Sequence, residues 1–221
     1  MFHPGIPIYV YVAMICIVAG LIRFSKLSPP YLRLFIPFLA VTVFVECVTP
    51  LKWIHFKGSN HWFFNLFTIM EFAFYGLIYF KTISGTAKKK YVVYSLLLGL
   101  AAAFINIFFI QGFEKFHTIS YRICSAITIS WCILYFRQLL QLHEEIRLVE
   151  LPMFWFTTGI FFFSLGFFFY MNAFDYIVYR KISFNQQLWK VISRSLNMLL
   201  YSCFLIGFLC QRSRKTSFSS S

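Results

Sequence analysis

Long apolar runs separated by short polar or proline-containing breaks follow one another along the whole chain. Each run has about 20 residues or slightly more, which is the length that carries a helix across the hydrocarbon layer. The runs lie at about residues 6–24, 31–49, 61–82, 91–111, 117–140, 152–178 and 187–210. They lack the alternating pattern of a spanning barrel. The pattern therefore predicts an all-α, polytopic membrane protein with a single seven-helix transmembrane domain over residues 1–211.

The composition agrees with this interpretation, because 60% of the residues are hydrophobic and only 12% are charged. The formal net charge of +13 does not indicate a nucleic-acid partner, since the basic residues stand in short groups between the apolar runs. The lipid bilayer is the expected environment. Residues 212–221 are basic and serine-rich, which is typical of a short cytoplasmic tail near anionic lipid.

Lys and Arg are distributed unequally between the two predicted sides of the membrane. Most of the twenty fall on the side that holds the Lys88 to Lys90 group, and such a bias marks the cytoplasmic side. We therefore predict that the amino terminus lies outside and the carboxy terminus in the cytoplasm. The expected location is the cytoplasmic (inner) membrane, crossed several times.

Polar residues inside the predicted spans concentrate at one depth. With a rise of about 1.5 Å per residue, six of them lie roughly 6 to 11 Å above the midplane on the outer side. They are Glu46, Asn65, Asn106, Arg122, Asn172 and Arg194. Asp175 lies higher, Glu71 and Asn197 lie near the centre, and the inner half is nearly all apolar. This layer predicts a polar pocket that opens outward.

The third span carries a polar stripe on one helical face, formed by Asn65, Thr68, Glu71 and Tyr75. A charged side chain at mid-bilayer costs several kcal/mol against lipid. Glu71 is therefore predicted to face the bundle interior, either protonated or paired. Its expected hydrogen-bond partners are Tyr75, Thr68 and Asn197.

Glu46 shares its depth with two arginines, and we predict an ion pair with Arg122 or Arg194. The same arginines favour a small, anionic ligand in the pocket. The expected ligand-binding residues are Glu46, Asn65, Glu71, Tyr75, Asn106, Arg122, Asn172, Asp175, Arg194 and Asn197. An alternative is that such residues only bind helices together, at about 0.6 kcal/mol each.

Small residues recur at helical spacing on two spans. Ser95, Gly99 and Ala103 are four residues apart, and Gly159, Gly166 and Ala173 are seven apart. Small side chains allow the backbones of membrane helices to approach closely. Both stripes therefore predict helix contacts rather than binding chemistry.

No motif in the sequence predicts a cofactor, a metal site or a catalytic centre. The six cysteines all lie in apolar runs and lack the spacing of metal ligands. The segment HEEIR, residues 143–147, does not have the spacing of a zinc-binding HExxH. No nucleophile and base stand at a recognisable spacing, so an intramembrane enzyme is the least favoured class.

Three segments, NHWFFNLFTIMEFAFYGLIYF, PMFWFTTGIFFF and LNMLLYSCFLIGFLCQ, carry a resemblance to a group of proteins. The chain resembles small seven-helix bacterial integral membrane proteins that have no assigned function. The resemblance implies a seven-helix fold and brings no activity with it.

The favoured function is a sensor or receptor-like module, whose outward pocket binds a small molecule and whose helices signal to a cytoplasmic or membrane partner. A structural or assembly subunit of a membrane complex is the first alternative. A proton-coupled transporter that uses Glu71 or Glu46 is the second. Against the transporter, the chain has no clear internal repeat.

Overall fold

The computed structural model describes residues 6–48, 60–141, 147–179 and 185–210, without the side chains of 174–179, 185–187 and 189. The predicted all-helical fold is confirmed for these residues, which contain no strand. They form seven α-helices: α1 (Ile8–Ile22), α2 (Phe35–Val48), α3 (His61–Thr82), α4 (Thr86–Ile105), α5 (Thr118–Leu140), α6 (Pro152–Tyr179) and α7 (Asn185–Leu209). The predicted tail, 212–221, lies outside the described residues.

Two helices have irregular extensions that the sequence did not predict. A 3₁₀ turn, Pro30–Leu34, leads into α2. A π-helical turn, Asn106–Ile110, continues α4 to the end of its predicted span. Helix α4 also begins at Thr86 rather than at 91, so that the three lysines 88–90 lie within its first turns.

Six helical segments of the described residues are long and apolar enough to cross a membrane. Helix α1 is apolar but shorter than these six. Helix α1 has 15 residues and spans about 22 Å, so it is shorter than the predicted helix over residues 6–24. Helix α1 nevertheless packs along the bundle. The rings of Tyr9 and Tyr201 are 6.2 Å apart, and a Cβ on Gly20 would lie 3.1 Å from Phe208. Helices α1 and α7 are thus parallel.

Each helix packs against the next one along the chain, and α1 closes the ring by packing against α7. Helix α3 also contacts α5. Helices α1, α3, α5 and α7 begin at one end of the bundle, here called the His117 end. The other three begin at the Lys88 end. Aromatic stacking fills the centre, where the ring centroids of Phe38 and Phe74 are 4.1 Å apart and those of Phe72 and Trp131 are 5.1 Å apart.

Small residues lie at the closest helix contacts, as their spacing predicts. A Cβ on Gly99 would lie 2.5 Å from the ring of Phe72. A Cβ on Gly159 would lie 2.9 Å from Cys203 Cβ and 3.1 Å from the carbonyl oxygen of Leu200. Helices α6 and α7 therefore approach to within backbone contact at Gly159.

We expect Gly159→Ala to lower the free energy of unfolding by about 1 to 3 kcal/mol, because the new methyl group meets the α7 backbone. Gly166→Ala is the matched control on the same helix. Its methyl group would meet the tip of the Leu196 side chain at 2.6 Å, and that tip can rotate away. Thermal unfolding in detergent measures both changes, and equal losses would contradict the close backbone contact.

Candidate functional site

Glu71 and Tyr75 form a hydrogen-bonded pair on successive turns of α3. The Tyr75 hydroxyl donates to Glu71 Oε1 at 2.9 Å, which confirms one of the three predicted contacts of Glu71. The spacing of four residues places both side chains on the same face of the helix. Tyr75 is only 3% exposed, so the hydrogen bond lies inside the bundle.

Ionisable side chains from three further helices surround this pair. Tyr121 of α5, Tyr201 of α7 and Glu46 of α2 all lie within electrostatic range of Glu71. Tyr201 is 3% exposed. The interior of the bundle thus brings two carboxyl groups and several phenols together in a region of low dielectric, where they interact more strongly than in water.

Glu46 has a different partner from the one predicted. Tyr9 of α1 donates its hydroxyl to Glu46 Oε2 at 2.9 Å. The predicted ion pair with Arg122 or Arg194 is not formed among the described residues. Arg194 lies close enough to Tyr9 for its charge to act on the phenol oxygen. The pair Glu46–Tyr9 therefore links α2 to α1.

Three residues of the predicted outward pocket, Arg122, Arg194 and Asn172, have no described hydrogen bond to Glu71 or Glu46. Arg122 Nε donates to the carbonyl of Met171 at 2.9 Å, while Arg194 is exposed. Asn172 is also exposed and donates to the carbonyl of its own helix at Phe168.

Asn197 and Asp175 are the remaining predicted residues on the last two helices. Asn197 is buried, but its amide donates to the carbonyl of Ser193 on its own helix at 2.9 Å. Asp175 lies on α6 with its side chain outside the described part.

A cavity of about 20 Å³ lies beside Glu71. Its lining is an acid, phenols, hydroxyls, a thiol and two aromatic rings: Thr68, Glu71, Phe72, Tyr75, Tyr121, Cys124, Ser125, Thr128, Phe163 and Ser164. A water molecule needs roughly 10 to 15 Å³ of such volume and polar partners. The cavity can therefore hold water, and it is far below the several hundred Å³ of ordinary ligand sites.

Asn65 and Asn106 belong to polar contacts at the His117 end. Asn65 Nδ2 donates to the carbonyl of Lys115 at 2.9 Å, and its Oδ1 accepts from the backbone N–H of His117 at 3.1 Å. Asn106 Nδ2 donates to Ser120 Oγ at 2.8 Å. Both asparagines thus fix the connection between α4 and α5, where they also satisfy buried polar groups.

The half of the bundle toward the Lys88 end is less apolar than predicted. Tyr79 Oη and Cys132 Sγ are 3.1 Å apart. Trp131 Nε1 donates to Ser95 Oγ at 2.9 Å. The expectation of a nearly apolar inner half is therefore wrong, because tyrosine and tryptophan carry polar atoms that hydropathy averages hide.

Tyr9, Tyr121 and His117 are the residues of the site that the sequence did not single out. All three lie within the predicted apolar runs, where hydropathy gives little weight to the polar atom of an aromatic ring. A signal existed for Tyr121, since Ser125 and Thr128 follow it at spacings of four and three on α5. That spacing places three hydroxyl groups on one face.

We expect Tyr75→Phe to lower the free energy of unfolding by about 0.6 to 1.5 kcal/mol, because Glu71 loses a buried hydrogen-bond donor. Tyr94→Phe on α4 is the matched control, as the Tyr94 side chain is 67% exposed. Equilibrium unfolding in mixed detergent measures both variants. Equal stability of Tyr75→Phe and the wild type would contradict a structural role for the pair.

Comparisons with protein-family models, with curated proteins and with solved structures found no match for this chain. Within the described residues, no three His, Cys, Asp or Glu side chains are grouped so that they could hold a metal ion. A functional interpretation therefore depends on the carboxyl and tyrosine cluster around Glu71.

Proposed function

We propose that the chain is a multi-pass membrane sensor module whose responsive group is Glu71. The ligand is a proton, and the response is a change in the packing of the helices around this acid. The observation that carries the proposal is the position of Glu71. It lines a cavity large enough for water but too small for a metabolite, inside a bundle whose other ionisable groups lie close by.

The chemistry of the cavity supports a proton rather than the anion expected from the arginines. Among the described residues that line the cavity, Glu71 is the acid and there is no Lys or Arg. A carboxyl group that gains or loses a proton inside a membrane changes its free energy by several kcal/mol. The cavity lining thus favours a site that exchanges protons over one that attracts an anion.

The surroundings of Glu71 support a response that reaches several helices. Glu46 on α2, Tyr75 on α3, Tyr121 on α5 and Tyr201 on α7 all interact electrostatically with it. A charge that appears at Glu71 therefore acts on four helices at once. Such a change biases one packing arrangement against another, which is what a switch requires.

We further infer seven membrane crossings with the amino terminus outside and the carboxy terminus in the cytoplasm. The parallel packing of α1 against α7 supports an odd number of crossings. The lysines at the start of α4 support a cytoplasmic Lys88 end. The His117 end then faces outward in the cytoplasmic (inner) membrane, and the responding partner is a membrane or cytoplasmic protein.

A second candidate function is proton translocation. Polar groups continue past Glu71 toward the Lys88 end, where Tyr79 and Cys132 are in contact and Thr157 is fully buried. A chain of polar groups on both sides of an intramembrane acid is typical of a proton relay. Proton uptake into vesicles separates the two candidates, because a sensor responds to pH without net flux.

Infrared difference spectroscopy tests the proposed sensor. We expect a protonated carboxylic acid band whose intensity changes with pH in wild-type protein and disappears in Glu71→Gln. The matched control is Glu150→Gln, since Glu150 lies on the surface at 3.6 Å from Arg147. Because Phe72 stacks on Trp131, tryptophan fluorescence reports the packing change that should accompany this titration. A fluorescence response to pH that persists in Glu71→Gln would overturn the proposal.

Cysteine labelling in intact cells tests the orientation. We expect Lys115→Cys to react with an impermeant maleimide and Ala87→Cys to react only after the membrane is permeabilised. Both positions are exposed, one near each end of the bundle. The unmodified chain gives the background from its own cysteines. Labelling of Ala87→Cys alone in intact cells would reverse the orientation.

A further inference from the structure

A second cavity adjoins the cavity of Glu71 on the side of the His117 end. It has a volume of about 10 Å³ and is lined by Asn65, Thr68, Ile69, Phe116, His117, Ser120, Tyr121 and Cys124. The two cavities share Thr68, Tyr121 and Cys124 in their walls. The two cavities therefore lie side by side, and their lining residues form a row from the middle of α3 to the start of α5.

Side chains with exchangeable protons stand along this row. Thr68, Tyr121 and Ser120 supply hydroxyl groups between Glu71 and the His117 end. Hydroxyl groups both donate and accept hydrogen bonds, so they can pass a proton with the help of water. The second cavity is close to the smallest volume that holds one water molecule, roughly 10 to 15 Å³.

His117 closes the row at its outer end. The residue is only 4% exposed, although it directly precedes α5 at the end of the bundle. Its ring Nε2 lies 2.6 Å from the carbonyl oxygen of Gly112. Gly112 has a φ of +73°, a left-handed conformation that glycine adopts without strain. The connection thus folds back and holds the imidazole against the second cavity.

A buried acceptor beside the row points independently to bound water. Among the described residues, Asn106 Oδ1 is buried without a hydrogen-bond partner, while the Nδ2 atom of the same amide contacts Ser120 and Gln111 at 2.8 Å each. Buried polar atoms without a protein partner are commonly satisfied by water. Asn106 also opens the π-helical turn, a form that often marks functional sites.

We propose that this row is the proton path of Glu71, from His117 through Ser120, Tyr121 and Thr68 to the carboxyl group. The inference rests on the proposed function, since it supplies the route by which the sensing acid exchanges its proton with the outer side. The titratable groups within electrostatic range of Glu71 are Tyr75 on its own helix and, on the helices packed nearby, Glu46, Tyr121, Cys124 and Tyr201. Of these, Tyr121 and Cys124 line the path itself.

The rate at which the Glu71 acid band shifts after transfer of the purified protein into D₂O tests the path. Thr68→Val keeps the side-chain shape but removes a hydroxyl shared by both cavities, and we expect exchange to slow by about tenfold. Ser120→Leu should have a similar effect, because it fills the second cavity. Thr158→Val is the matched control, as the Thr158 hydroxyl donates to the carbonyl of Phe154 on its own helix.

The outcomes separate the path from the proposed function. A Glu71 band that exchanges at the wild-type rate in Thr68→Val overturns the path and leaves the sensor intact, whether or not Ser120→Leu folds. A slowed exchange in Thr158→Val as large as in Thr68→Val also overturns it. Absence of a Glu71 acid band at every pH overturns the sensor and the path together.

Discussion

Hydrocarbon offers no hydrogen-bond partner, and this constraint decides where the polar side chains of the chain lie. Each polar group in a span must be satisfied within the bundle or reach the surface. Glu71 satisfies the constraint through Tyr75, and Glu46 does so through Tyr9. The aromatic residues therefore have two roles, because their rings fill the core while the tyrosine hydroxyls bind the buried acids.

Close helix packing makes the buried cluster compact. Gly99 allows the ring of Phe72 to approach α4, and Phe72 in turn stacks on Trp131 of α5. This packing fixes the phase of α3, so that the next residue toward the amino terminus, Glu71, faces α5 and its Tyr121. The glycines that look purely structural are thus part of what positions the acid.

The size of the cavity connects this packing to the proposed function. A site of about 20 Å³ selects by volume and admits water and protons, while larger solutes do not fit. Rigid aromatic walls keep that volume small, and Glu46 lies within electrostatic range of Glu71. Selectivity and response then come from the same group of residues.

The sequence alone determined the approximate positions of the helices and a part of the site. Helix α3 spans His61–Thr82 as predicted, because length and hydropathy set where a membrane helix can begin and end. The Glu71–Tyr75 contact was also predictable, since both residues lie on one helix at a spacing that α-helical geometry fixes.

Contacts between different helices were decided only by the tertiary structure. Glu46 contacts Tyr9 instead of an arginine, and Arg194 is exposed although it shares the depth of Glu46. Depth follows from position along a helix, but the direction of a side chain also depends on how each helix is rotated against its neighbours. That rotation results from the packing of rings and glycines across the whole bundle, which no single segment contains.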